Sequence, residues 1–351
     1  MKGLKIAILY EVYEGDPPPQ PRKKTSKRKR RRSEMPDREQ IFDALVKLGH
    51  EPFYHGLDGR TQTLFAVSKS DADLVFNLVE SYGGDDTKDM NLAAYLDLLG
   101  LRYTGAGPHA LYLAQDKSLA KKIFAFHGIQ TPFFASSYRG RIEHAHDIKF
   151  PLIVKPASED GSIGIDNDSV VHSIKDLMER IHYVHDQFDC PALIEEYIDG
   201  REIYVSILGS YERTEVLPLI ELDLSKLPKG TPRIAGQDVK FWRETEAYKV
   251  TKSAPVENLG EETVEKIRST ALAAYRALKL RDYGRIDLRL REDSQVFVIE
   301  ANPNPWLDTS AEFAMAARAS GRTYNDLINE IVMLSMMRSA TPSVATSAAA
   351  T

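Results

Sequence analysis

The segment 285–307, RIDLRLREDSQVFVIEANPNPWL, constrains the fold more than any other part of the chain. Its β-branched and aliphatic runs predict two adjacent strands joined by a polar turn at 292–294. Glu300 and Asn302 are two residues apart, so they point to one face of the second strand, where we expect Asp287 to join them. Mg²⁺ prefers such oxygen ligands, so the segment predicts a magnesium site. These residues alone equally allow a buried strand in which Asp287 pairs with an arginine.

A second segment, PLIVKPASEDGSIGI at 151–165, predicts a strand followed by a Gly-rich loop. Gly161 and Gly164 let backbone N–H groups approach an anion, Ser162 adds a hydroxyl and Lys155 adds a positive charge. The chain has neither a GxxxxGK[ST] string nor a GxGxxG after a first strand, which excludes the two commonest nucleotide-binding fingerprints. The segment predicts a phosphate-binding loop of another kind.

A third segment, ALIEEYIDGREIYVSIL at 192–208, predicts a strand, a connector and a second strand. Glu195, Glu196 and Glu202 lie around the connector. Carboxylates at these positions can accept hydrogen bonds from adenine and ribose donors. The three segments together indicate a nucleotide site with a metal.

In their order and spacing, these segments resemble the ATP-grasp superfamily, and within it the D-alanine:D-alanine ligase group. The resemblance covers 74–336 and rests on six blocks in order: FNLVESYGGDD, GLRYTGAGPHALYLAQDKSLAKKIFAFHGIQTP, PLIVKPASEDGSIGI, LIEEYIDGREI, GRIDLRL and VIEANPNPWL. It implies an α/β fold of the α+β ATP-grasp kind, with three domains and ATP held between two sheets. It also implies a homodimer built through the N-terminal domain.

The resemblance further assigns roles to single residues. The implied ligands of two Mg²⁺ ions, with Mn²⁺ as the alternative metal, are Asp287, Glu300 and Asn302. The implied catalytic residues are Arg285, which would steady the phosphoryl group and the later oxyanion, Lys240 from a mobile loop, and Ser162. The implied ATP-binding residues are Lys117 and Lys155 on the phosphates, Glu159 and Gly161 in the loop, Glu195, Glu196 and Ile198 at adenine, and Glu202 at the ribose.

The implied metal ligands, cations and ATP-binding residues suit an enzyme that activates a carboxylate. Phosphoryl transfer from ATP gives an acyl phosphate, which an amine attacks through a tetrahedral intermediate whose oxyanion needs fixed positive charge. The leading hypothesis is therefore an ATP-dependent carboxylate–amine ligase acting on small-molecule substrates. The alternatives are a true D-alanine:D-alanine ligase and an ATP-binding regulatory or nucleic-acid-associated protein.

Departures from the ligase pattern fall where the amino-acid substrates would bind. A loop serine of the family is replaced by Gly161, the lid tyrosine by Phe241, and a glycine of the acceptor pocket by Trp306. A bulky indole must change the volume of that pocket. We therefore expect substrates other than a simple pair of D-alanines.

Periodicity and punctuation divide the chain into three domains and a tail. The predicted units are a small N-terminal α/β domain at 1–122, a central subdomain at 123–209, a C-terminal subdomain at 210–338 and a disordered tail at 339–351. A polar insertion at 225–252 has the length of a lid loop.

A basic insertion at 16–36 interrupts the N-terminal domain. Nine of the 46 Lys and Arg residues of the chain lie between 22 and 32. Such a block repels itself, so we expect it to be disordered when unliganded. Nucleic acid is a disfavoured partner of the enzyme, but this run leaves it open, and a solvated loop is an equally good explanation.

Composition indicates a cytoplasmic enzyme without a membrane partner. The sequence contains neither a run of 18 apolar residues nor a secretory signal pattern. The single cysteine, Cys190, excludes an intrachain disulfide and a cysteine-rich metal site.

Overall fold

A computed structural model describes residues 3–13, 36–138, 141–143, 149–159, 161–210, 213–240, 242 and 244–338, with only the backbone described at 141–143. The predicted disorder of the basic insertion concerns residues that lie almost entirely outside this part of the chain. The same holds for the tail at 339–351. Among the described residues, no helix is both long and apolar enough to cross a membrane.

The N-terminal part contains a parallel three-stranded sheet. Its strands are β1 (Lys5–Glu11), β2 (Glu51–Leu57) and β3 (Leu74–Asn77), and β1 lies between the other two. Its helices and those that follow it are α1 (Asp37–Lys47), α2 (Thr61–Ser68), α3 (Asp89–Leu98), α4 (Pro108–Gln115) and α5 (Lys117–Phe126). The apolar run KIAILY fills β1 because the middle strand of a parallel sheet is buried on both faces.

The central part contains a five-stranded antiparallel sheet. Its strands are β4 (Phe134–Tyr138), β5 (Arg141–Glu143), β6 (Leu152–Pro156), β7 (Val170–Val171) and β8 (Ala192–Glu196), in the order β5-β4-β8-β6-β7. The amphipathic helix α6 (Ile174–Phe188) covers one face, and Leu177, Ile181 and Val184 pack against Leu152 and Val154. This sheet therefore has a hydrophobic core of its own.

The third sheet has six strands. They are β9 (Arg201–Ser210), β10 (Arg213–Val216), β11 (Ile220–Asp223), β12 (Lys252–Pro255), β13 (Tyr283–Leu290) and β14 (Val296–Asn302). The order is β12-β11-β9-β13-β14, and β10 pairs with β9. The helices of this part are α7 (Gln237–Lys240), α8 (Glu246–Val250), α9 (Glu261–Ala277), α10 (Glu312–Ala319) and α11 (Tyr324–Met337).

Two predicted boundaries need correction. The central subdomain was predicted to end at 209, which assigns β9 to it, but β9 pairs with β11 and β13 in the third sheet. The sheets therefore change between β8 and β9. The predicted lid loop at 225–252 is not a bare loop, because it contains α7 and α8 and its last residue begins β12.

The first and third sheets share their hydrophobic cores. One core joins Ala7 and Val75 to Ile203 of β9 and to α9, and the other joins Ile6 and Ile8 to the far side of the third sheet. The prediction of a mixed α/β fold with several sheets is confirmed.

Asp282 joins these two parts by hydrogen bonds. Its fully buried carboxylate accepts from the Gly105 N–H at 2.9 Å and the Ser335 hydroxyl at 2.9 Å, and pairs with Arg338 at 3.1 Å. Burial raises the pKa of Asp282 despite the opposing charge of Arg338. Removing the charge leaves Arg338 without this counter-ion.

We predict that Asp282→Asn lowers the free energy of unfolding by about 3 kcal/mol, because breaking a buried ion pair leaves an uncompensated charge. Urea denaturation measures the change. The control is Glu330→Gln, which breaks a partly exposed pair with Arg322 and should cost less than about 1 kcal/mol. Equal losses of unfolding free energy in the two variants would contradict the conclusion that the buried pair of Asp282 and Arg338 stabilises the fold.

Candidate active site

The pairing of β13 with β14 contains a bulge at the candidate metal site. Leu288 pairs with Val298, but Asp287 pairs with Glu300, so Ile299 has no residue opposite it. Residues directly opposite each other in an antiparallel pair project to the same face. The extra residue therefore brings the two predicted metal carboxylates together.

Strand β9 extends this polar face on the other side of β13. Asp287 lies opposite Tyr204, and Arg289 lies opposite Glu202. Arg285 lies opposite Asn302 of β14 in the same register. Three adjacent strands thus present carboxylates and arginines to one side of the sheet.

A cleft of about 640 Å³ lies between this face and the central sheet. Predicted residues that line it are Lys155, Ser162, Glu195, Glu196, Ile198, Glu202, Lys240, Asp287 and Glu300. Predicted residues that lie beside it are Lys117, Glu159, Gly161, Arg285 and Asn302. The cleft therefore brings side chains of all three predicted segments together.

Lys117 connects the Gly-rich loop to the polar face of the third sheet. Its ammonium group donates to the Glu159 carbonyl at 2.7 Å and pairs with Glu300 at 2.9 Å. Burial opposes the charge of Glu300, but the Lys117 and Lys155 ammonium groups outweigh it and lower the pKa of Glu300 to about 2. Glu300 is therefore ionised at neutral pH, as a metal ligand should be.

Glu195 lies between two lysines in the interior. Its two carboxylate oxygens lie 2.5 Å from Lys121 and 2.5 Å from Lys155. Burial would raise the pKa of Glu195, but the two ammonium groups lower it; burial lowers the pKa of Lys121. The side chain of Glu195 thus holds Lys155 at the cleft, and its contact with adenine stays a prediction.

Lys121 is the residue that the sequence analysis missed. It is 1% exposed, and it also donates to the Thr131 hydroxyl at 2.8 Å. A signal was present, since Lys121 lies four residues after Lys117 and hence on the same face of α5. Its buried partner, however, comes from a distant strand.

Arg285 is held by carboxylates on two edges of its guanidinium group. It makes two hydrogen bonds to Asp287, at 2.7 and 2.9 Å, and lies 3.6 Å from Glu312. Burial raises the pKa of Asp287, with Arg285 opposing that rise. The arrangement fixes the guanidinium plane beside the predicted metal ligands.

The remaining predicted residues have defined partners. Glu202 pairs with Arg289 at 2.5 Å, and Glu196 pairs with Arg291 at 2.8 Å. The Ser162 hydroxyl donates to the Ala235 carbonyl at 2.8 Å, which joins the Gly-rich loop to the segment 225–252. Both Gly161 and Ser162 adopt positive φ, of 60° and 62°. Phe241 lies outside the described residues.

The side chains at the bulge fit a magnesium ion. Within the described part of the chain, no cluster of three or more His, Cys, Asp or Glu side chains is poised to hold a metal. The predicted donors are instead Asp287, Glu300 and Asn302; the side-chain amide of Asn302 also donates to the Arg285 carbonyl at 3.5 Å. Two carboxylates completed by nucleotide phosphates are a usual environment for Mg²⁺.

We predict that Glu300 stabilises the fold in a pH-dependent way. Its folded pKa of about 2 lies below its ordinary value of 4.5. Its contribution, on the order of 3 kcal/mol, is therefore present above pH 4.5 and is lost as the pH falls towards 2. The measurement is urea unfolding of the wild type and Glu300→Gln from pH 3 to 7, and the difference should narrow below pH 4.5. Glu262→Gln, on the exposed face of α9, is the control. A difference in unfolding free energy between the wild type and Glu300→Gln that does not change with pH would refute the predicted contribution of Glu300.

Comparison with known proteins gives a consistent family. The family model described as D-ala D-ala ligase C-terminus matches residues 125–333. The uncharacterized protein y4sG of Sinorhizobium fredii is 34% identical over 298 residues, which cover 83% of this chain and 85% of the relative. The D-alanine–D-alanine ligase of Bordetella petrii is 31% identical over 295 residues, which cover 83% of this chain and 84% of the relative.

Solved structures agree on the fold. The D-alanine–D-alanine ligase of Bacillus anthracis in complex with ATP has a TM-score of 0.71 at 22% identity, covering 95% of this chain and 98% of its own. The VanG D-Ala:D-Ser ligase of Enterococcus faecalis has a TM-score of 0.68 at 18% identity, covering 95% and 100%. The predicted ATP-grasp fold is confirmed, and the chain belongs to the D-alanine:D-alanine ligase family of ATP-dependent enzymes that form C–N bonds.

Proposed function

We propose that this ligase joins an amino acid or related carboxylate to an amine through an acyl phosphate, and that its substrates differ from a pair of D-alanines. The observation that carries the proposal is the position of Trp306. It lines a second pocket, together with Asp37, Asn77, Glu80 and Tyr283. This cavity adjoins β14, the strand that carries Glu300 and Asn302, because β14 ends only four residues before Trp306.

The chemistry follows from the charges of the first cleft. Lys155 and Lys240 line it, and Lys117 and Arg285 lie beside it. These four cations oppose the negative charge of a nucleotide and of the phosphoryl group in transfer, where a protein mainly positions and neutralises. Bound magnesium, held by the bulge residues, would add further neutralisation; the use of two ions is part of the proposal.

The second cavity differs from an open pocket that accepts the methyl side chain of D-alanine. Trp306 is 47% exposed, and it lines this cavity beside the Asp37 carboxylate. Asp37 begins α1 of the N-terminal part, so two parts of the chain line this cavity. A pocket lined by an indole and two carboxylates, Asp37 and Glu80, favours a substrate that has an amino group and is large enough to stack on an aromatic face.

A true D-alanine:D-alanine ligase remains the second candidate, because relatives at 30% and 31% identity carry that name. A homodimer belongs to either proposal. Both candidates use the same cleft and cations, and they differ only in what the second cavity accepts.

A substrate panel separates the two candidates. We predict Mg²⁺-dependent ADP release with a pair drawn from L- and D-amino acids, dipeptides and amines, giving a product whose mass is the sum of the pair minus water. D-alanine alone should give less than about one tenth of that rate, since pocket mismatches of this kind cost about 10-fold or more. Efficient formation of D-alanyl-D-alanine would instead establish the second candidate.

We predict that Asp287→Asn lowers ADP release at least about 100-fold while the chain stays folded, because the metal loses a charged ligand. Mg²⁺-dependent ADP release and thermal unfolding are measured together. The matched control is Glu221→Gln on β11, whose carboxylate pairs with Arg201 away from the cleft. Retained activity in Asp287→Asn would refute the metal assignment.

A further inference from the structure

Tyr204 occupies the middle of the polar face, where neither the sequence nor the proposed chemistry gave it a role. Its side chain is fully buried, and it lies opposite Asp287 in the strand register. Its hydroxyl has no hydrogen-bond partner among the described residues. A buried tyrosine normally finds such a partner, so the hydroxyl does not explain why this ring is here.

Two of the site's cations lie over this one ring. The guanidinium carbon of Arg285 is 4.8 Å from the ring centroid, and the ammonium nitrogen of Lys240 is 5.5 Å from it. Both distances are within the range of a cation–π interaction, which strengthens when the groups are shielded from water. The ring is therefore an uncharged partner that both cations share.

The two cations come from different parts of the chain. Arg285 belongs to β13 inside the third sheet, whereas Lys240 ends α7, a four-residue helix in the segment 225–252. Arg285 has carboxylate partners in Asp287 and Glu312. Lys240 lies near enough to Asp287 and Glu300 for its charge to lower the pKa of both carboxyl groups, and its contact with the Tyr204 ring places the ammonium group beside Arg285.

We propose that Tyr204 is a positioning residue: its aromatic face fixes Lys240 next to Arg285 so that both cations meet the phosphates of ATP. This inference rests on the proposed function for the identity of the transferred group. A side chain that packs equally well but has no π-electrons would leave the segment 225–252 folded and Lys240 misplaced. The hydroxyl is dispensable in this arrangement.

The test uses the full chain and compares the dissociation constants of Mg²⁺-ATP and of AMP by calorimetry. The ratio of the AMP constant to the Mg²⁺-ATP constant reports how well the β- and γ-phosphates are held. Tyr204→Phe should keep the ratio within about twofold, and Tyr204→Leu should lower it at least about fivefold. Phe313→Leu removes a buried ring from the same core and is the control for packing.

Two further variants separate positioning from stability. Tyr204→3,4,5-trifluorophenylalanine, made by nonsense suppression, keeps the ring shape but weakens its negative face, so it should lower the ratio relative to Tyr204→Phe even if Tyr204→Leu fails to fold. Lys240→Ala should lower the ratio less in the Tyr204→Leu background than in the wild type, because the two losses share one interaction.

Each outcome is decisive. The role of Tyr204 would be overturned by an unchanged ratio in both the Tyr204→Leu and the trifluorophenylalanine variants. It would also be overturned if Tyr204→Phe lowered the ratio as much as Tyr204→Leu, or if the losses from Tyr204→Leu and Lys240→Ala were additive. The binding measurement needs no turnover, so a wild-type chain that binds ATP but joins no substrate pair overturns the proposed function alone. A wild-type chain without preference for ATP over AMP overturns both.

Discussion

The one-residue bulge at Ile299 is the constraint on which the site depends. Side chains alternate between the two faces of a strand, so a continuous register would have placed Ile299 opposite Asp287 and turned Glu300 to the other side. The bulge sets Glu300 and Asn302 on the face that β13 and β9 make polar. It thereby brings the carboxylates, the arginine between them and the lysines of two other segments within reach of one another.

Burying this much charge is tolerable only because the charges are paired. Glu195 pairs with two lysines, Glu300 pairs with Lys117, and Asp287 pairs with Arg285. An isolated ion in the interior would cost several kcal/mol. The same pairing explains the pKa directions: lysines keep Glu195 and Glu300 ionised, whereas burial has the larger effect on Asp287. In the proposed function, the second cavity, where the family's glycine is replaced by Trp306, selects the substrates.

The sequence alone predicted those parts of this arrangement that depend on local patterns. The two strands of 285–302, the Gly-rich loop and the common face of Asp287 and Glu300 followed from alternation and residue chemistry, whereas the family resemblance implied that Lys155 joins them in one site. The sequence did not reveal the bulge, because its register depends on the partner strand, nor the pairing of Lys121 with Glu195, which joins distant segments. The boundary at 209 was wrong because β9 follows its connector without a break in pattern. The face shared by Tyr204, Arg285 and Lys240 exists only in three dimensions.

The separate core of the central sheet has a mechanical consequence. The first and third sheets share hydrophobic cores and the Asp282 contacts, so they form one rigid body. The chain passes into the central unit after α5 and leaves it after β8. Rotation about these two crossings, at 127–133 and 197–200, would widen the cleft without repacking either core. Such hinge motions take microseconds to milliseconds. Asp287, Glu300 and Asn302 all belong to the third sheet, so a swing of the central unit would open the cleft to nucleotide and leave their arrangement intact.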